Sequence, residues 1–172
     1  NIEFSLDIMG YGEGRIQDGI AFVDVGLLVT VKESGSYTQT IFLGYVPVYF
    51  TVGEEVEVAC SGYLDIMIDS DGPSITGLDG ELNPKITLNL GAGVGANQIL
   101  HIGGGGKATL SWLNRWKDDY NRVSLTGSMY LTAQAFMFKA EKKLAEGTWV
   151  IYDSNNVNAA ALAEADGFSI YD

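Results

Sequence analysis

Glu54-Glu55-Val56-Glu57-Val58-Ala59-Cys60-Ser61-Gly62-Tyr63-Leu64-Asp65-Ile66-Met67-Ile68 is the stretch that decides the fold of this chain. Val56, Val58, Cys60, Leu64, Ile66 and Ile68 fall on even positions, against Glu55, Glu57, Ser61, Asp65 and the following Asp69 on odd ones. Successive side chains of a strand point to opposite faces, so this is one long ribbon with a dry face and a wet face. A second ribbon, Asn121 to Phe138, sets Val123, Leu125, Met129, Leu131, Ala133 and Ala135 against Arg122, Ser124, Thr126, Ser128, Thr132 and Gln134.

Shorter alternating runs flank these ribbons. Phe4–Ile8 reads as a first strand, ended by the loop Gly10-Tyr11-Gly12-Glu13-Gly14. Ile20–Val31 is apolar on both faces, as a strand covered on both sides would be. Glu33-Ser34-Gly35-Ser36 reads as a turn into Tyr37–Leu43, making a hairpin. Pro47 cannot donate to a central ladder, which places Gly44–Phe50 at an edge or at a crossing between sheets. Asp69–Pro73 closes the long ribbon, and Asp79-Gly80 is a second tight-turn signal. Gly91, Gly93 and Gly95 share a face, and with Gly103–Gly106 they let another backbone or a large ring approach closely. Asn114–Asn121 is a polar loop, Glu141–Gly147 fits a helical turn, and Thr148–Tyr152 is the last strand. In the tail, Asn158 can cap a helix over Ala159–Ala165 that Gly167 stops.

The expectation is an all-β fold: an antiparallel sandwich or flattened barrel of roughly nine strands, with a short C-terminal helix. Residues 1–155 read as one domain and residues 156–172 as a connector or docked tail. Both ribbons exceed the usual strand length and should bend, with Gly62 and Gly127 as the kink points.

Composition narrows function mainly by exclusion. The chain has 172 residues, 47% of them hydrophobic, which suits a folded domain rather than a disordered one. Its formal net charge of -12 repels phosphate backbones and excludes nucleic acid as a partner. The start at Asn1, without Met or a leader, is expected of a processed product or an excised piece. Cys60 is the sole cysteine, so no internal disulfide forms, and its position on a dry face makes it a small hydrophobe.

No catalytic constellation emerges, and the chain is read as a non-enzyme. His101 is the one histidine, with no Gly-x-Ser-x-Gly elbow to serve, and it reads as a surface or network residue on the face opposite Leu100 and Ile102. One His and one Cys are too few strong ligands for zinc. Gly103–Gly106 before Lys107 is not a P-loop, because Ala108-Thr109 continues a strand instead of opening a helix. Asp69, Asp71 and Asp79 form the candidate calcium set, since alternate carboxylates beside Gly72 can wrap a hard cation. An Asp-rich turn that only bonds its own backbone is the simpler reading, and no other cofactor is implied. Trp112, Trp116 and Tyr120, at four-residue spacing, are the candidate ligand-binding platform, since aromatic faces stack on sugars and apolar ligands.

Leu43-Gly44-Tyr45-Val46-Pro47-Val48-Tyr49-Phe50-Thr51-Val52-Gly53, the ribbon after it, the strand Gly91-Ala92-Gly93-Val94-Gly95, and Gly147–Tyr152 carry a resemblance. Their texture looks like the β-rich modules of large secreted or surface-anchored proteins of Gram-positive bacteria. That resemblance implies a secreted or cell-surface location and a non-catalytic module for adhesion, spacing or assembly. Its partners would be neighbouring domains of a larger chain, a glycan or a protein surface, and unpaired strand edges leave self-association open. One alternative is a carbohydrate-binding module using the aromatic platform. A second is a small outer-membrane β-barrel, which the two-faced ribbons fit; the lack of an evident aromatic girdle and the doubly apolar Ile20–Val31 speak against it.

Overall fold

Period-two patterning carries through nearly the whole chain in the computed structural model, which describes residues 2–96, 100–155 and 166–170. Eight strands follow in chain order: β1 (Ile2–Gln17), β2 (Ile20–Leu43), β3 (Val46–Asp69), β4 (Gly72–Ala96), β5 (Leu100–Arg115), β6 (Tyr120–Ala135), β7 (Phe138–Asp153) and β8 (Asp166–Ile170). They form one antiparallel sheet ordered β1-β2-β3-β4-β5-β6-β7-β8. Among the described residues only consecutive strands touch, so β1 and β8 do not meet. The all-β expectation holds. The sandwich does not, because the eight strands form one layer rather than two; nor do nine strands or a closed barrel.

Several expected breaks are overridden by cross-strand pairing, which outweighs local glycine and turn preferences. Gly10, Gly12 and Gly14 lie within β1, opposite Leu27, Val25 and Val23. Glu33–Ser36 lies within the 24-residue β2, so no hairpin turns there. Asp79-Gly80 lies within β4, where Asp79 Oδ1 accepts the Gly80 N–H at 2.7 Å. Glu141–Gly147 belongs to β7 and is not helical. Pro47 is neither on an edge strand nor at a crossing. It pairs with Phe42 next to the Gly44-Tyr45 turn, and β3 begins pairing with β4 only at Val48, so the missing N–H leaves no gap between them. The expected helix Ala159–Ala165 and its Asn158 cap lie outside the described residues, and Gly167, its expected stop, is in β8.

The turns themselves are tight. Asp18 and Gly19 both take positive φ (53° and 80°), as a two-residue primed hairpin turn requires. At the Asp69–Gly72 turn, Asp69 Oδ1 accepts the Asp71 N–H at 2.8 Å. Register irregularities fall at Asp65/Ile66, Val123/Ser124 and Met129/Tyr130, near Gly62 and Gly127 but not at them.

Directly opposed residues of an antiparallel pair share a face, so the register sorts every side chain. One face carries rows such as Val31–Val58, Val52–Leu90, Ile86–Leu110–Leu125 and Val123–Tyr152. The other carries Lys32–Glu57–Lys85–Ser111–Ser124 and Glu55–Thr87–Thr109–Thr126–Thr148. On β1–β7, Glu33, Glu54 and Lys142 are the charged residues that pairing places on the apolar face. That face is open: Phe4 is 69% exposed, Leu90 60% and Ile102 72%. Buried apolar side chains among the described residues amount to Tyr49 and Ala145. Val25 and Leu27 are exposed too, so the strand expected to be covered on both sides is not. At one end the sheet is stepped: the β3–β4 turn begins β4 at Gly72, whereas the β5–β6 turn lies level with Glu81. Those nine positions amount to ~30 Å along the strand.

Candidate functional site

The polar face is hollowed between β3 and β7 into a concavity of about 880 Å³. Its floor is bare backbone, where Gly91 pairs with Gly105 and Gly93 with Gly103. Tyr49 reaches from β3 across this patch, and a Cβ on Gly93 or Gly103 would collide with its hydroxyl. Tyr130 from β6 covers Gly105, where a Cβ would come within 2.7 Å of the Tyr130 hydroxyl. The glycine strip thus admits large rings, as its spacing implies. The same device recurs where Tyr11 lies over Gly26 and Trp116 over Gly80.

His101 follows this floor on β5, opposite Gly95 and Gln134 and on the face away from Leu100 and Ile102. It is 6% exposed, so it is not a surface residue. Its ring stands edge-on to Tyr49, with centroids 5.5 Å apart at 84°, and its Nδ1 has no hydrogen-bond partner. Around the concavity, hydroxyls pair across strands: Thr87 with Thr109 at 2.9 Å, Ser111 with Ser124 at 2.8 Å, and Thr126 with Thr148 at 2.9 Å. Ion pairs join Lys32 to Glu55 at 3.0 Å, Lys85 to Glu57 at 3.0 Å and Lys143 to Glu146 at 2.7 Å. A water-facing polar surface, wet and cross-braced, is what these groups make together.

The candidate aromatic platform is divided. Trp112 lies on the apolar face opposite Val123, with its Nε1 3.4 Å from Asn121 Oδ1. Trp116 sits in the β5–β6 turn, its ring over Gly80 and its N–H donating to Gly80 O at 2.9 Å. Tyr120 points to the opposite face, where its hydroxyl donates to Asp153 Oδ2 at 3.0 Å. Pairing instead gathers Trp112, Trp149 and Tyr152 at one end of the apolar face and Phe138 at the other. This grouping depends on the register between distant strands and has no signature within any one strand.

The candidate calcium residues are also separated. Asp69 and Asp71 share the hairpin turn, but Asp79 lies up β4 opposite Tyr63. Seven positions from Gly72 to Asp79 amount to ~23 Å of strand, beyond a shared coordination shell. Among the described residues no group of three or more His, Cys, Asp or Glu is placed to hold a metal ion. Cys60 is a half-buried free thiol on the apolar face, between Val29 and Leu82.

The fold is thus an up-and-down antiparallel meander, polar where it is concave. The chain matches no protein-family model and no curated protein sequence. A likeness exists to the solved structure of the ferric citrate transporter FecA in its unliganded form, with 10% identity and a TM-score of 0.50. It covers 84% of this chain and 24% of that one, so this chain spans about a quarter of the transporter's length. At that identity the likeness concerns the fold alone.

Proposed function

We propose that this chain forms part of the wall of a transmembrane β-barrel, with its apolar face against lipid and its concave polar face lining a water-filled lumen. The observation that carries the proposal is the inverted amphipathicity of an uncovered sheet. A water-soluble sheet buries its apolar face against a second layer, whereas here that face is exposed and the hollow face is polar. Antiparallel strands of alternating apolar and polar residues are the pattern by which strands cross a bilayer. No helix among the described residues is long and apolar enough to cross a membrane.

Dimensions support the reading. On β6 the apolar face runs from Leu125, beside Trp149, to Ala135, beside Phe138, and Lys142, opposite Leu131, is the one charge that β6–β7 pairing places within it. Ten residues at ~3.3 Å each, tilted ~35–45°, rise ~23–27 Å, close to the ~25 Å apolar band of such barrels. Trp112, Trp149 and Tyr152 then sit near one membrane interface and Phe138 near the other, the placement favoured for amphipathic rings. The stepped edge of the sheet supplies the stagger that barrel closure demands. On β2 and β3 it carries the band past Glu33 and Glu54 to Ala21–Val31 and Val56–Ile68. Since β1 and β8 leave open edges among the described residues, further strands complete the ring, from a longer chain or another copy.

The reading as an extracellular adhesion or spacer module accounts for the same sheet but leaves its apolar face in water, which such an area disfavours. Tryptophan quenching separates the two. Protein mixed with phosphatidylcholine vesicles brominated along the acyl chains should lose most of its tryptophan emission, since Trp112 and Trp149 face the lipid. A protein that stays monomeric in detergent-free buffer with unquenched emission refutes the barrel.

A further inference from the structure

Among the described residues, strand β1 is a sheet edge that touches β2 alone. A free row of N–H and C=O groups is a template for another strand, and edges are commonly blunted by shortness, proline or a bulge. β8, at the opposite edge, is short, with five residues. β1 has none of these devices: it runs from Ile2 to Gln17 without proline or register irregularity against β2, and every side chain on it is exposed.

The apolar face of β1 is lopsided. Phe4, Leu6 and Ile8 fill one half, Gly10, Gly12 and Gly14 the other, with Ile2 and Ile16 at the ends. Nothing within the chain calls for those glycines. None takes positive φ, and a Cβ on them would meet only backbone oxygens, at 3.8, 3.9 and 4.0 Å, which is ordinary contact. Elsewhere in the sheet, strand glycines lie under a ring from the residue directly across: Gly26 under Tyr11, Gly93 under Tyr49 and Gly105 under Tyr130. The β1 glycines are the same device without its covering side chains. On the polar face Arg15 stands over the Phe22 ring at 5.0 Å. Among the described residues neither Arg15 nor Glu3 has an ion-pair partner.

We infer that β1 is a self-complementary edge, to which β1 of a second copy adds antiparallel about a two-fold axis at Met9. Phe4 then meets the partner's Gly14, Leu6 the partner's Gly12 and Ile8 the partner's Gly10, while Glu3 meets the partner's Arg15. The two-fold repeats each contact, as an isologous interface requires. Facing residues have the same parity, so the two apolar faces join on one side and the two polar faces on the other. Charge selects this register. A slip of two residues one way sets Glu3 against the partner's Glu13, and the other way it sets Asp7 against the partner's Glu13. A slip of four aligns Arg15 with the partner's Asp7, but sets Gly10 against the partner's Gly12 and runs Phe4 off the ladder. The inference deepens the barrel reading by naming what continues the wall beyond β1, and rests on that reading only for its place in the bilayer.

Sedimentation of the full chain in density-matched detergent micelles tests it, together with disulfide trapping in a Cys60→Ala background. A dimer is expected. Met9→Cys should link into dimers under mild oxidation, since directly opposed Cα atoms lie ~4.5–5.5 Å apart, within disulfide range. Tyr11→Cys, which faces the partner's Asp7, should not. Arg15→Glu and Glu3→Arg change net charge in opposite directions, yet each should weaken dimerisation at least tenfold, and the double variant should recover most of the loss. A monomer at every concentration, linking through Tyr11→Cys in place of Met9→Cys, or charge reversals that the double variant does not rescue, overturns the pairing and gives the edge to a strand of another sequence. The bromolipid measurement is independent: quenching of a protein that sediments as a monomer sinks the edge pairing alone. A dimer without quenching sinks the barrel and leaves the edge pairing.

Discussion

Met129 and Ser128 are neighbours in sequence on opposite faces, and placing the same arginine at each sets the barrel reading against a soluble sheet. Met129 is 55% exposed on the apolar face, opposed by Gly106 and Ala145, with no charge directly across from it. Ser128 faces the concavity between Lys107 and Glu146, so an added cation there meets one like and one opposite charge. In lipid, an arginine near the bilayer midplane on the outer face of a barrel costs ~2–4 kcal/mol. Met129→Arg should reach the upper half of that range. A fully buried Met side chain contributes ~1.5–3 kcal/mol, and roughly half of that contact with lipid is lost as well. Ser128→Arg, in water, should stay within ~1 kcal/mol. The assay is equilibrium urea unfolding from phosphatidylcholine vesicles, followed by tryptophan emission, with both variants compared at matched slope. For a soluble sheet the expectation changes, since a 55% exposed side chain would face water and its replacement would stay within ~0.5 kcal/mol. Equal effects at the two positions, or a stabilised Met129→Arg, would refute the assignment of faces.

Two further outcomes follow from the contacts. Gly103→Ala places a methyl against the Tyr49 hydroxyl and should destabilise by ~1–3 kcal/mol; combining it with Tyr49→Ala should recover part of that loss, a non-additivity read from a double-mutant cycle in the same unfolding assay. Millimolar calcium should leave the melting temperature unchanged, because Asp79 stands well up β4 from the Asp69–Gly72 turn; a rise that Asp71→Ala abolishes would show that the turn recruits a cation despite that separation.

How much of this was legible in the sequence depended on the range of the deciding interaction. Alternation is local, and it gave the all-β antiparallel class and the faces of the two long ribbons, which fall in β3 and β6. The glycine strip was legible too, because Gly91, Gly93, Gly103 and Gly105 announce close approach whatever ring arrives. Breaks were misread because a turn signal is only a local preference. Asp18-Gly19 and Asp79-Gly80 are the same dipeptide, and one turns while the other does not. At Asp18-Gly19 the chain has no partner beyond the hairpin. Gly80 pairs with Gly62 and lies under the Trp116 ring, so its missing side chain serves packing from a distant turn rather than a bend.

The aromatic candidates failed for a related reason. Spacing of four residues suggested that Trp112, Trp116 and Tyr120 act together, but a turn between the first and the last sends them to opposite faces. The rings that do share a face, Trp112, Trp149 and Tyr152, come together only through the β5–β6 and β6–β7 registers. The concave cations are distributed in the same way, with Lys85 on β4, Lys107 on β5 and Lys139 and Lys143 on β7. Each taken alone is a solvated lysine on a wet face. The register puts them on one face with Glu141 and Glu146, and that grouping is a property of the sheet that no single strand encodes. A net charge of -12 therefore describes the chain without describing the mixture of charges on its hollow face.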